Sequence, residues 1–262
     1  MPNYNRVTAS EESTKVLVQP IVVVNRQLSM NSWVEKHRHN WGQFVYANSG
    51  VMAVITDGGR YLIPPEQGVW VPATIDHEII TSTDVELTSL YIENEQTEGF
   101  PFVCQVLSVS PFLKVLLNEA KTIKHDYQWQ STAGRLLRLI RDNIKTASPI
   151  DLQLPYPKDK RLKEIVSRLQ KFPALKTDLN SWGKFVGASV RTLSRTFKKE
   201  TGITYSEWKQ RLNIQIAIKQ LYMGESVGNI AINLGYESSS AFIYMFKKQM
   251  KVTPSNYLSR DH

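Results

Sequence analysis

The chain has 262 residues, 42% of them hydrophobic, a formal net charge of +8 and a single cysteine. No apolar run approaches the ~18 residues needed to cross a bilayer, and the start MPNYNRVTASEESTK lacks the basic-then-apolar build of a signal peptide. A soluble, cytoplasmic protein with one or two packed cores and no membrane partner is expected, and Cys104, with no second thiol to pair with, reads as a small buried hydrophobe.

The charge is unevenly divided. Residues 1–150 carry 13 Lys and Arg against 15 Asp and Glu, whereas 151–262 carry 19 against 9, so the first part is close to neutral and the second strongly basic. A basic domain beside a near-neutral one suits a nucleic-acid module joined to something that binds neither nucleic acid nor membrane.

From Val16 to Ile92 the residues predict short strands: VLVQPIVVV, FVYA, VMAVIT, RYLI, GVWVPA and LTSLYI are β-branched or aromatic and are separated by Asn-Ser-Gly, Asp-Gly-Gly, Pro-Pro and Ser-Thr-Asp turns. This spacing indicates a sandwich or small barrel. Helical periodicity follows at Leu113, Leu116 and Leu117, and again at Leu136, Leu137, Ile140 and Ile144. These faces offer more apolar surface than a small barrel needs, so Leu116, Leu117, Leu137 and Ile140 are expected to pair two copies of the chain as a homodimer. The stretch SPIDLQLPYPKD, with three prolines, cannot continue a helix and reads as a linker over 149–157 between a domain at 1–148 and another at 158–262. Beyond it Leu162, Ile165, Val166 and Leu169 begin an almost uninterrupted helical pattern.

That second region contains an internal repeat. FKKETGITYSEW, from Phe197, aligns at an offset of 49 with FKKQMKVTPSNY, from Phe246; upstream, Leu179, Trp182, Phe185, Val186 and Gly187 parallel Val227, Ile230, Ala231, Leu234 and Gly235 at an offset of 48. Each copy is an amphipathic helix, a stop at glycine, a turn with Ser189 or Ser238 placed to cap, and a second helix, which is the plan of a helix-turn-helix. Leu193 and Phe197, like Phe242 and Phe246, lie four apart and would be buried. The opposite faces hold Val190, Arg191, Ser194, Arg195 and Lys198 in the first copy, and Ser239, Ser240, Ile243, Tyr244 and Lys247 in the second. Arg191 and Arg195 can bond guanine edges bidentately, and the lysines at the helix ends can neutralise phosphates. The second face could read bases through hydroxyls and Tyr244, or mainly position the protein on the DNA backbone. Thr204 with Glu207 forms a capping-box pattern, and Thr253 before Pro254 caps another helix.

The segments GASVRTLSRTFKKETG and AINLGYESSSAFIYMFKKQMKVTPSNYL closely resemble the DNA-binding domain of the AraC/XylS family over about residues 158–260. The resemblance implies a transcription regulator, an activator or a repressor, whose two units enter the major groove on one face of promoter DNA about 34 Å apart. RNA polymerase is then a further partner to consider.

The first domain is similar to the cupin pattern. HRHNWGQFVYANSG gives His37, His39, Gln43 and Gly50 at the spacing of the first cupin motif, with Gln where Glu is usual, and GVWVPATIDH partly matches the second, ending at His77, with Thr74 where Gly is common. The expected fold is therefore α+β with two domains: an N-terminal cupin-like β-barrel plus helices, and a C-terminal all-α tandem helix-turn-helix domain. His37 and His39 share one strand face. With His77, and Gln43 as a weak fourth ligand, they could hold one transition-metal ion, they could form a metal-free polar pocket that hydrogen-bonds a small-molecule effector, or they could be structural. Tyr46 and Trp70, with Trp41 and Tyr91, are aromatic candidates for lining such a pocket. A competing reading is a metal-dependent cupin enzyme with an accessory basic domain, but it gives no account of the repeat.

Overall fold

The computed structural model describes residues 4–8 and 17–258. Val16, the signal-peptide stretch beyond residues 4–8, and residues 259–262 at the end of the expected second domain lie outside the described residues. The chain forms two compact units, one of the described residues up to Asp57 with Tyr61–Gln153, the other of Gly58–Arg60 with Leu154 onward.

In the first unit, strands β1 (Asn5–Val7), β2 (Ile21–Leu28), β3 (Ser32–His37), β4 (Gly42–Ser49), β5 (Met52–Thr56), β6 (Gly59–Ile63), β7 (Gln67–Val71), β8 (His77–Thr81), β9 (Val85–Ile92) and β10 (Gln105–Ser108) precede helices α1 (Pro111–Ala120) and α2 (Thr132–Thr146). The run read as VLVQPIVVV starts its strand only at Ile21, because Pro20 interrupts it.

The strands do not close into the cupin-like barrel expected from the sequence. They form two open sheets, one running β1-β3-β8-β5-β6 in this unit, the other β10-β7-β4-β9-β2. The β10 edge is already occupied and the β1 edge is short. The outer side of β10 is taken by the connector, with Ser108 N–H donating to Ser148 and Ile150 N–H to Val106, while the first sheet is edged by the three-residue β1, parallel to β3. Closure would need those same backbone groups.

The two sheets face each other across a core to which Val34, Met52, Val54, Ile63 and Ile79 contribute from one side and Val45, Ala47, Val69, Val71 and Leu87 from the other. Strand β4 is buried on both faces: Phe44 and Tyr46 turn the other way, into a second core with Trp70, Leu90, Ile92 and the helices. In that layer Trp70 lies over Gly42 and Phe44 over Gly68, so closely that a Cβ at either glycine would overlap the ring.

Helices α1 and α2 are capped by Ser110 and Ser131. Leu116, Leu117, Leu137 and Ile140, expected to pair two subunits, are instead part of this chain's own core, since the sheet's outer face takes up their apolar stripe. The apolar side chains these helices leave exposed are Phe112, Val115 and Leu139.

The second unit is helical apart from β11 (Leu154–Pro155), which pairs antiparallel with Gly59 and Arg60. Its helices are α3 (Lys160–Lys171), α4 (Leu179–Val186), α5 (Val190–Thr201), α6 (Tyr205–Tyr222), α7 (Val227–Asn233), α8 (Ser239–Met250) and α9 (Pro254–Leu258). No helix among the described residues is long and apolar enough to cross a membrane.

Thr74 has φ of +66°, a left-handed conformation that costs a β-branched residue about 1–3 kcal/mol. Its side chain is exposed. Thr74→Gly is expected to raise the unfolding midpoint in urea by an amount worth about 1 kcal/mol after the extra chain entropy of glycine is subtracted. An unchanged or lowered midpoint would show that the strain is absent or relieved elsewhere.

Candidate nucleic-acid interface and ligand site

The two halves of the second unit are built by the same local chemistry. Helix α4 starts at Asp178, whose carboxylate accepts from Ser181 N–H, and stops at Gly187 in the left-handed region; Ser189 then accepts from Thr192 N–H to open α5. Helix α7 starts at Ser226, the chain turns at Gly235 with φ of +76°, and Ser238 accepts from Ala241 N–H to open α8. The turns also share a backbone bond, Ala188 N–H to Gly183 in the first and Tyr236 N–H to Ala231 in the second. At Gly183 a Cβ would press on the Ala188 carbonyl, so the missing side chain lets the first turn close tightly.

Leu193 and Phe197 are buried with Trp182, Trp208 and Leu162 in one core. Phe242 and Phe246 are buried in an aromatic chain running from Tyr236 through both phenylalanines to Tyr257. Helix α6 joins the halves; it opens with the full Thr204–Glu207 capping box and packs against α5, α7 and α9. Burying these pairs leaves the opposite faces of α5 and α8 in solvent. Ser189, Val190, Arg191, Ser194, Arg195 and Lys198 are all exposed, as are Ser238, Ser239, Ser240, Tyr244 and Lys247, and Ile243 is half-buried.

In the first unit, His37 at the end of β3, His39 just beyond it, Gln43 on β4 and His77 at the start of β8 converge at one end of the space between the sheets. The ring centroids lie 4.3 Å apart for His37 and His77, 5.1 Å for His39 and His77, and 6.2 Å for His37 and His39. Each Nδ1 sits against a backbone carbonyl, that of Glu35, Trp41 and Ile75 respectively. A neutral ring that donates from Nδ1 keeps only a lone pair on Nε2. Gln43 Oε1 lies 3.0 Å from His39 Nε2 and 3.1 Å from His77 Nε2, and Gln43 Nε2 donates to Ser89 Oγ at 3.0 Å. An amide's O and N ends exchange on a half-turn of the group, and all three contacts are satisfied with Nδ1-protonated rings in that turned orientation, where the amide donates to the two rings and its carbonyl accepts from the Ser89 hydroxyl.

This arrangement corrects the transition-metal reading of His37, His39, His77 and Gln43. Among the described residues no group of three or more His, Cys, Asp or Glu side chains is placed to hold a metal ion, and the Gln43 amide lies against the Nε2 atoms that two of the histidines would give to one. Ser89 is the member that the motifs did not reveal; its alternation with Tyr91 along β9 is the only sequence signal for it.

Trp41 stacks on His39 at 5.5 Å and Tyr91 meets the same ring edge-on at 5.8 Å. Trp41 is only 7% exposed, yet its Nε1 has no hydrogen-bond partner among the described residues. Tyr46 and Trp70 are not brought to this site. They lie on the helix-facing side of the sheet, where Trp70 Nε1 donates to the Pro101 carbonyl and its ring packs on Phe100.

A near-neutral unit joined to a basic unit with two helix-turn-helix halves is the build of a DNA-binding transcription regulator with an accessory ligand-binding domain. Residues 22–153 match the AraC-like ligand binding domain and residues 182–260 a helix-turn-helix domain, and the chain belongs to the AraC/XylS family of regulators. It is 30% identical over 224 residues, 86% of this chain and 82% of the other, to the HTH-type transcriptional regulator NimR of Escherichia coli. It is 38% identical over 73 residues, 28% of this chain and 26% of the other, to the HTH-type transcriptional activator RhaR of Mannheimia succiniciproducens. Among solved structures, ToxT from Vibrio cholerae aligns over 92% of this chain and 98% of its own at 14% identity, with a TM-score of 0.39. The family is a non-catalytic DNA-binding class, which removes the metal-dependent enzyme as an alternative.

Burial drives the His77 pKa down to about 3, with the neighbouring His37 adding to the effect, and burial also lowers His39 and His37. Below the unfolded value of about 6.5 the unfolded chain takes up protons that the folded one refuses, so stability is present above that pH and is lost as the pH falls toward 3. His77 alone should cost the first unit about 2 kcal/mol between pH 7 and pH 5. Urea titrations across this range should show a shallower pH dependence for His77→Gln than for the parent; parallel curves would mean that His77 is not held neutral.

Proposed function

We propose that the second unit reads promoter DNA through the outer faces of α5 and α8, while the histidine end of the first unit receives a small-molecule effector. The observation that carries the DNA reading is the exposure of Arg191 and Arg195, neither of which forms an ion pair among the described residues, on a helix anchored by Leu193 and Phe197. Free guanidinium forks on such a helix suit guanine O6 and N7, while Lys198 and Lys247 in the last turns suit phosphates. Ser189 and Ser238 set where each helix begins and so which residues lead it into the groove.

For the effector, support comes from the polar cluster flanked by the rings of Trp41 and Tyr91, with the buried Trp41 N–H as an unsatisfied donor. His37, only half-buried, stands at its rim. A ligand with an acceptor group could take the indole N–H without disturbing the Gln43 clamp. The outer faces of α1 and α2, with Phe112, Val115 and Leu139 exposed, are the surface on which a second copy of the chain would pair.

Replacing Arg191 and Arg195 together with alanine should abolish preference for the cognate promoter site, each contact being worth about 1–3 kcal/mol, without altering the melting curve. Lys198→Ala should weaken binding to all DNA alike and flatten its salt dependence. Footprints of the double arginine variant that match the parent would disprove the reading face.

Phe112→Glu with Val115→Glu should give a folded monomer in sedimentation. An unaltered dimer would place the pairing surface elsewhere, and a parent chain that is monomeric at every concentration would remove it.

A further inference from the structure

We propose that the two helix-turn-helix units read chemically different half-sites: α5 a block containing guanines, and α8 a block of A·T pairs recognised through thymine methyl groups. The proposal rests on the reading of α5 and α8 as the base-facing helices and deepens it.

Superposing the two helices by their repeat separates what is shared from what is not. At the offset of 49, Leu193 and Phe197 fall on Phe242 and Phe246, and Lys198 and Lys199 on Lys247 and Lys248. The buried anchors and the phosphate-facing ends therefore coincide. The positions between them do not: Val190, Arg191, Ser194 and Arg195 become Ser239, Ser240, Ile243 and Tyr244. One reading face carries two forked cations and the other carries no charge at all until its last turn.

Guanine presents two acceptors side by side in the major groove, and arginine is the side chain whose paired N–H groups fit both. No residue on the outer face of α8 before its last turn can do this. A serine hydroxyl bonds donors and acceptors alike and discriminates little. What α8 offers instead is apolar surface: Tyr244 is 72% exposed and Ile243 stands beside it, half-buried, one residue earlier on the helix. Large apolar groups in water are stabilised by whatever covers them. On the edges of the base pairs in the major groove, the apolar group available is the C5 methyl of thymine. The same face without lysine or arginine in its first two turns has little to hold it on phosphates alone, which argues against α8 as a mere backbone clamp.

The test uses the full chain and a pool of random duplexes. Selection should return two blocks one helical turn apart, about 10–10.5 base pairs, one bearing guanines and the other thymines. In the best duplex, uracil is then substituted for each thymine, which removes the methyl and leaves the hydrogen-bonding edge intact. Affinity should fall about fourfold for each methyl that loses its contact in the second block, and should change for no more than one thymine in the first, where Val190 is the one exposed apolar side chain of the face. Tyr244→Ser, at an exposed position, should erase the uracil effect while the guanine block is still selected. A second block without preference, a second block rich in guanine, or uracil substitution without effect would each overturn the proposal while leaving the guanine block standing. If neither block is enriched, the assignment of α5 and α8 as base readers itself fails, and this inference with it.

Discussion

The pair of side chains buried four residues apart on each of α5 and α8, Leu193 with Phe197 and Phe242 with Phe246, is the constraint on which the second unit depends. Turning these residues inward fixes the rotation of the helix about its own axis, and that rotation decides which of the remaining side chains meet solvent. The serine caps set where each helix starts, and the left-handed glycines set how the preceding helix ends. Exposure of Arg191 and Arg195 is therefore a consequence of packing behind them, which lets the outer residues vary from one copy to the other without disturbing the scaffold.

The first unit obeys a comparable rule in strand form. Because β4 is buried on both sides, its successive residues belong to different layers: Gln43, Val45 and Ala47 to the space between the sheets, Phe44 and Tyr46 to the layer beneath the helices. The polar cluster can then stay neutral while large aromatic rings are packed a few ångströms away on the far side of the same backbone. Gln43 suits this role because an amide offers two N–H donors to two neutral rings, whereas a carboxylate there would have only acceptors to set against their lone pairs.

The helical half was the more legible in the sequence, since caps, glycine stops and the i, i+4 spacing are local and repeat within the chain. The convergence of His37, His39, Gln43 and His77 was to be expected only through the resemblance to the cupin motifs, although the barrel that resemblance implies does not form. Which strands pair, and hence that the sheets stay open, depends on contacts between distant segments such as β10 and residues 148–150, and no local pattern encodes it. The apolar stripes of α1 and α2 were visible, but not that the sheet rather than a second subunit would cover Leu137 and Ile140. Tyr46 is a different case: it stands three residues after Gln43, so strand alternation alone places it on the other face, whereas the placement of Trp70 needed the pairing of β4 with β7.

The contact of Trp70 with Gly42 has a consequence for how this sequence can drift. Any side chain at position 42 would collide with the indole, and a smaller residue at position 70 would open a void over the glycine. Neither position can change first without loss, yet the two together could change to a small ring over an alanine. Substitution here is order-dependent, with the intermediate less fit than either end, so the pair should persist or be replaced as a unit, as should Phe44 with Gly68.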